Sequence, residues 1–344
     1  MTKNRFQSIF PSNEELVRQL QEDVERICQP CGRMVGTKGH EEAEAYLLRR
    51  MEKIGCVPYR DESIRLPFTC DGESFVNLIG KIPGSDRSKA PLLIGAHYDS
   101  VIAAPCADDN AAAVAIALAV AKGVKENNGF DRDLVVAIFD SEEPPYFQSS
   151  SMGSNYFADH QMLGDGMHGV IVMDLVGHDV PGLPGFGGLV FVTGAESHPE
   201  LTVVFDHALH PKSLKVIPTL NSYVGDMSDH GAFRKLGIPY FFLSCGHWEH
   251  YHRTTDTPDR LNYRKMAAIS ELNFGFLQGM DVSRLEGARK QESQCDTTEL
   301  EIRSMRNAFG PFLPVLLEQA GITGLQSRRG IDRLVRSLKS GLGL

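Results

Sequence analysis

The chain has 344 residues, enough at roughly 150 per domain for two domains or one large α/β domain, and long enough to bury a sizeable core without covalent staples. Acids outnumber bases by 44 to 35, a formal net charge of −9, which argues against nucleic acid or an anionic membrane as the main partner. Hydrophobic residues at 42% and charged residues at 23% exclude disordered and collagen-like chains. The longest apolar stretch, Ala111 to Ala121, is far short of the ~20 residues of a membrane span and reads as a buried helix.

The opening residues run into a charged segment, Glu14 to Arg26, with no apolar core of a secretory signal. Seven scattered cysteines, an odd number, do not form a disulfide framework, so a reducing, cytoplasmic setting is the expectation. Cys28 and Cys31 form a CxxC, but no second pair follows at zinc-finger spacing; two half-buried thiols at a helix end is the reading.

Leu16, Leu20, Val24 and Ile27 recur at helical spacing over Asn13 to Ile27. A second helix is predicted from His40 to Ile54, with Gly55 as its stop. The pattern then changes to short apolar runs separated by helices. Strands are predicted at Phe75–Ile82, Leu92–His97, Leu134–Asp140, Val170–Leu175, Leu189–Thr193 and Tyr240–Leu243. Helices are predicted at Ala111–Glu126, Ser154–Leu163, Pro199–Leu209, Ser228–Leu236 and Tyr263 to about Val282. This alternation predicts an α/β fold with a mixed, mostly parallel central sheet flanked by helices on both faces. Past Arg284 the chain turns polar over Leu285–Asp296 and then amphipathic over Thr297–Gln319 and Gly330–Leu342. We therefore divide it into a catalytic domain, 1–284, and a helical C-terminal extension, 285–344. The last helix carries Arg328, Arg329, Arg333, Arg336 and Lys339 against Asp332 alone. Docking on the chain's own acidic body is favoured over a membrane or partner role.

The chemistry lies at the strand ends. Three apolar runs end in His97-Tyr98-Asp99, in Asp140-Ser141-Glu142-Glu143 and in Asp174. Open α/β sheets form their sites beyond the carboxyl ends of strands, so these side chains, with Asp108-Asp109, are delivered to one edge. A single acid there reads as a helix cap; four with a histidine read as a metal site. Imidazole and carboxylate without thiolate suit zinc, or manganese or cobalt, in an open catalytic site. Of two consecutive glutamates, one can bind metal while the other faces water.

Gly95-Ala96-His97-Tyr98-Asp99-Ser100, Ala107-Asp108-Asp109-Asn110-Ala111, Phe139-Asp140-Ser141-Glu142-Glu143, Gly153-Ser154-Asn155-Tyr156-Phe157-Ala158 and Val172-Met173-Asp174-Leu175, closed by Tyr251-His252 and Asp256-Thr257-Pro258-Asp259, resemble in order the motifs of the di-zinc aminopeptidases. That family includes bacterial leucyl aminopeptidases, glutamate carboxypeptidase II and the divergent glutaminyl cyclases. The resemblance spans about Arg33 to Val282 and implies the zinc-exopeptidase (phosphorylase/hydrolase-like) fold. It implies two Zn2+ ions, with Co2+ or Mn2+ as substitutes, bridged by Asp108. His97 and Asp174 complete one ion, Glu143 and His252 the other. It makes Glu142 the general base, sets Asp99 behind His97, gives Tyr251 the developing oxyanion, and puts a cis peptide between Asp108 and Asp109.

His250 is the reserve for His252. His230 reads as a pocket-wall or capping residue, and Trp248 as core or pocket wall. The insertion Pro144–Met152 departs from the family pattern and is expected to reshape the pocket rim. The function implied is a metallo-aminopeptidase acting on peptide or aminoacyl substrates through a water shared by two zinc ions. The alternative is a single-zinc glutaminyl-peptide cyclotransferase, which the intact Asp108-Asp109 pair disfavours. A non-catalytic scaffold is disfavoured because no ligand is missing.

Overall fold

The computed structural model describes residues 13–127, 129–164, 166–180, 186–285 and 295–342. Two amphipathic helices come first, α1 (Asn13–Ile27) and α2 (Lys38–Ile54). Thr37 caps α2 by accepting from the His40 amide, and Gly55 ends it at φ 92°, a conformation that costs glycine little. The strands β1 (Val57–Pro58), β2 (Arg65–Cys70), β3 (Glu73–Ile82) and β4 (Leu92–His97) follow, then α3 (Ala112–Glu126) and β5 (Leu134–Phe139). Next come α4 (Gly153–Tyr156, continued as a wider turn through Gln161), β6 (Gly169–Met173), β7 (Leu189–Thr193), α5 (Pro199–His207) and β8 (Lys215–Thr219). The series runs on through α6 (Asn221–Val224), α7 (His230–Lys235), β9 (Tyr240–Ser244) and α8 (Tyr263–Val282), and closes with α9 (Thr298–Phe309), α10 (Leu313–Gln319) and α11 (Arg328–Leu342).

Among the described residues the strands form one sheet in the order β1-β3-β5-β4-β6-β9-β7-β8, with β2 paired to β3. The centre, β5-β4-β6-β9, is parallel. β3 joins it antiparallel to β5, and β7 joins it antiparallel to β9. Leu92, Ile94 and Ala96 face the larger core with α1, α2, α3 and α8, whereas Leu93 on the other face meets Phe139, Phe157 and Phe233. Both faces are thus covered, and the expected mixed α/β architecture is the observed one. No helix among the described residues is long and apolar enough to cross a membrane.

Three strands are not visible in the hydropathy pattern. β1 is two residues long, and β2 and β8 each contain a proline, Pro67 and Pro218. β8 ends the strand order and β2 pairs only with β3. Proline is tolerated on such edges because no central ladder bond is lost. Of the polar stretch Leu285–Asp296, residues 286–294 lie outside the described residues. The extension folds back on the body through Arg328, which donates to Tyr223 at 3.2 Å, and Arg303, which pairs with Asp206; within it Ile331 and Leu334 of α11 are fully buried and Arg328 makes paired bonds of 2.7 and 2.8 Å to the buried Glu301 of α9. Tyr223 reaches Asp332 at 2.6 Å. The amphipathic stretch Thr297–Gln319 forms two helices parted at Gly310-Pro311, where Gly310 takes φ 48° and a short 3-10 turn intervenes.

Candidate metal centre and active site

The parallel strands β4, β5 and β6 end at one edge of the sheet and present His97, Glu142, Glu143 and Asp174 there. His252 joins them from the loop after β9, at φ 55°. His97, Asp109 and Asp174 offer ligand atoms within 4.8 Å of one another, and so do Asp109, Glu143 and His252. Asp109 belongs to both groups. Its Oδ1 lies 3.5 Å from His97 Nε2, and its Oδ2 3.2 Å from His252 Nε2. His252 Nε2 is also 3.3 Å from Glu143 Oε2. Glu142 Oε2 stands 3.6 Å from His97 Nε2.

The shared residue is therefore Asp109 and not Asp108, and the cis peptide falls at Asp109-Asn110 rather than Asp108-Asp109. The reason is local. The Asp108 carboxylate turns away and is fully engaged: Oδ1 accepts from the amides of Gly177 (2.6 Å) and His178 (3.1 Å), and Oδ2 pairs with His178 Nδ1 at 2.6 Å. Gly177 fits there because a Cβ would stand 2.9 Å from Asp108 Oδ1 and 2.8 Å from Ala112. Asp109 and Asn110 leave helical geometry (φ −112°, ψ 84° and φ −134°, ψ 33°), which swings the second carboxylate to the strand ends. Two residues outside the motif hold this loop. Asp256 accepts from the amides of Asp108 (2.9 Å) and Asp109 (3.2 Å), and the buried Arg33 donates to the carbonyls of Tyr98 and Cys106.

Asp99 lies behind the site. Its Oδ1 faces His97 Nδ1 at 3.2 Å and accepts from the Glu142 amide at 3.0 Å, while Oδ2 accepts from the Glu143 amide at 3.0 Å. One carboxylate thus sets the ring so that Nε2 faces the centre and anchors the turn carrying both glutamates. Burial alone would raise Asp99, but His97 and the two amides outweigh it, and the carboxyl sits below its usual range.

The electrostatics of the side chains alone are severe. Burial, joined by the charges of Asp174, Asp229 and Glu143, pushes Glu142 well above the ordinary glutamate value despite His97. Burial and the charge of Asp109 raise Glu143 to about 8. Burial opposes charge on His252, yet Asp109 and Glu143 raise it to about 10. His97 Nε2, His252 Nε2, Glu143 Oε1 and Asp174 Oδ1 are buried without a hydrogen bond. Buried polar groups are seldom left so, and buried carboxylates without counter-charge are costly. Asp109, Glu143, Asp174 and Glu142 carry four negative charges when ionised, which two divalent cations balance. The donor set, imidazole and carboxylate in two groups sharing Asp109, fits such a pair.

Other residues fall into place around this centre. Tyr251 stacks between His247 (4.2 Å) and His252 (3.8 Å), and burial raises its phenol, which therefore stays protonated at neutral pH. His250 turns to Thr255 Oγ1 at 2.8 Å, outside both groups. His230 opens α7, bonds Asn221 Oδ1 at 3.0 Å and stacks on Phe242; burial lowers it to about 4, so it is neutral. Trp248 stacks on His178. Asp229, a residue the motif reading passed over, is fully buried, finds no hydrogen bond for either oxygen, and is raised by burial to about 7. Its one sequence signal is its place before His230. Beside Asp174 and Tyr251 opens an apolar cavity of about 330 Å³. The insertion 144–152 turns back through Tyr146 onto Phe75 and contributes none of the described lining.

Fold and site together give a mixed α/β sheet with two imidazole–carboxylate groups, sharing Asp109, at the carboxyl edge of its parallel strands. The model of peptidase family M28 matches residues 77–277, more than half of the chain, and the chain belongs to that family. It is 29% identical over 212 residues to the uncharacterized protein YfbL of Escherichia coli, an alignment covering 52% of this chain and 63% of that one; the chain thus spans less than two thirds of that relative. A leucine aminopeptidase precursor from Bacteroides thetaiotaomicron superposes with a TM-score of 0.59 at 17% identity, covering 78% of this chain and 97% of that one. The glutaminyl cyclase of Fimbriiglobus ruber superposes with a TM-score of 0.59 at 22% identity, covering 81% and 99%. These last two likenesses concern the fold.

Proposed function

We propose that the chain is an exopeptidase that holds two divalent cations, zinc by ligand preference, and removes amino-terminal residues from peptides. The observation that carries this reading is Asp109, whose two oxygens each face a separate histidine–carboxylate group. His97 and Asp174 would hold one ion and Glu143 and His252 the other, with Asp109 between them. When bound, the pair supplies Lewis acidity, acidifying water and polarising a carbonyl. Glu142, 3.6 Å from His97 Nε2 but outside both ligand groups, takes the proton of the attacking water and delivers it to the departing amine. Tyr251 donates its retained phenolic proton to the oxygen on which charge develops. Asp99 keeps His97 and the Glu142 turn in place.

A cyclotransferase acting on amino-terminal glutamine is the second reading, favoured by the glutaminyl cyclase among the structural neighbours. The two complete ligand groups favour hydrolysis. Metal analysis of the full chain should give two tightly held ions, and a panel of free-amine, blocked-amine and amino-terminal glutamine peptides should show hydrolysis of free-amine substrates. One ion per chain with ammonia release from the glutamine peptide would transfer the assignment. Glu142→Gln should keep both ions and lose about 10²–10⁴-fold in turnover, the range for a positioned general base.

A further inference from the structure

Family membership rests on residues 77–277, yet the cavity beside the metal centre is not built from those residues alone. Asp174 of the metal centre and Tyr251 line it, together with Phe191 and Ile217 of β7 and β8. Met305 and Phe309 of α9 and Val335 and Leu338 of α11 also line it. These four come from the C-terminal extension. Val335 and Leu338 lie three residues apart and so share one face of α11. The extension is fixed against the body by Tyr223, which donates to Asp332 and accepts from Arg328, while the Arg328–Glu301 pair joins α11 to α9 within it; Tyr223 itself lines the cavity.

The lining is overwhelmingly aliphatic and aromatic; its one acid among the described residues is Asp174, a ligand candidate of the metal centre. A volume of about 330 Å³ equals roughly eleven waters at ~30 Å³ each, so the four-carbon side chain of leucine would leave most of it unfilled. An apolar cavity of this size gains most from an apolar group that displaces its water. Tyr251, which on the proposed mechanism meets the carbonyl oxygen, and Asp174, a ligand candidate, both line the cavity, so a chain attached to that carbonyl lies next to it.

We propose that α9 and α11 complete a specificity pocket for amides whose carbonyl carries a long, unbranched or aromatic apolar chain, and that the extension sets how long that chain can be. The inference rests on the amide-hydrolase reading of the metal centre. That chemistry is shared by amino acids with long apolar side chains and by fatty-acyl amides, and two substrate series separate them.

The test uses the full chain with zinc and two sets of p-nitroanilides, 2-aminoalkanoyl and alkanoyl, each from four to twelve carbons. In one or both sets each added methylene should raise kcat/KM about fourfold until the pocket is full, the equivalent of ~0.8 kcal/mol per buried CH2. Val335→Trp, which fills the cavity, should cut the ratio of ten-carbon to four-carbon kcat/KM at least tenfold; Leu338→Ala should move the optimum to longer chains. Calorimetric titration of decanamide into the chelated protein gives a readout independent of turnover: wild type binds, and Val335→Trp binds at least tenfold more weakly. Decanamide binding without hydrolysis of any anilide would keep the pocket and remove the peptidase reading. Chain-length-independent rates, or equal loss on short and long substrates in folded Val335→Trp, would overturn the proposal, as would absence of decanamide binding to wild type.

Discussion

Replacing Asp99 by asparagine tests whether one carboxylate organises the centre from behind. The buried Asp99 takes three donors: the His97 ring and the Glu142 and Glu143 amides. The best asparagine rotamer sets its oxygen in the Oδ1 position, keeping His97 and Glu142, and turns its NH2 against the Glu143 amide. One buried donor then loses its acceptor, at about 1–3 kcal/mol, and the two surviving bonds lose their charge assistance, at about 1 kcal/mol each, for a total of about 3–5 kcal/mol. Part of this falls on folding and part on metal affinity, where loss of the group behind a ligating histidine costs about 10–100-fold. Chelator competition should therefore show weakening of that order, together with a lowered denaturation midpoint in the zinc-free protein. Unchanged affinity and unchanged stability in Asp99→Asn would refute the reasoning, because the three bonds would then carry no energy.

Three further outcomes follow from the geometry. Asp109→Asn should abolish tight binding of at least one of two zinc ions, while Asp108→Asn should retain both and instead lose about 3 kcal/mol of stability through its bonds to Gly177 and His178; metal analysis beside urea denaturation separates them. Burial opposes charge on His40, but Asp140, 2.8 Å away, outweighs it and raises its pKa above 6.5, so its contribution is complete below pH 6.5 and is lost as pH rises through the folded value. Denaturation midpoints from pH 6 to 9 should accordingly fall more steeply for wild type than for His40→Gln. Arg328→Ala leaves the buried Glu301 carboxylate unpaired, at about 3 kcal/mol, the low end for such a pair because Arg328 is 29% exposed; limited proteolysis should cleave the extension faster while a body fragment persists.

Much of the fold was legible because the central strands are buried on both sides. β4, β5 and β6 are buried at every position, and such runs stand out from the helices around them whatever their register. The edges were not legible. β2 alternates, with Leu66 and Phe68 inward around an exposed Pro67, and β8 carries Pro218, so neither reads as a strand in isolation. Pairing with β3 and β7, not local propensity, makes them strands. The Arg328–Glu301 pair spans 27 residues and could not be anticipated from the basic stripe of α11; the stripe read as a charged face, and only the folded chain shows which arginine is buried against which acid.

The grouping of the candidate ligands was legible to within one residue, and the difference shows what a motif cannot fix. Strand ends settle where His97, Glu142 and Asp174 arrive, because a strand's direction fixes the edge at which its last side chain emerges. Asp108 and Asp109 lie instead in a loop, where neighbouring side chains diverge and backbone geometry alone decides which turns inward. That geometry is dictated from far along the chain: Asp256 draws in the amides of both aspartates, and the Gly177 and His178 amides claim Asp108. Three donors hold Asp108 toward Gly177 and His178 and outside both ligand groups, and Asp109 is the neighbouring carboxylate facing both histidines. The Asp256-Thr257-Pro258-Asp259 run, noticed for its likeness to a family motif, thus acts 147 residues away on the residue that joins the two halves of the centre. An Asp256→Asn variant, which offers those amides one oxygen in place of a carboxylate, should weaken zinc binding without touching a ligand; unaltered zinc affinity would mean that the His178 side of the loop suffices to aim Asp109.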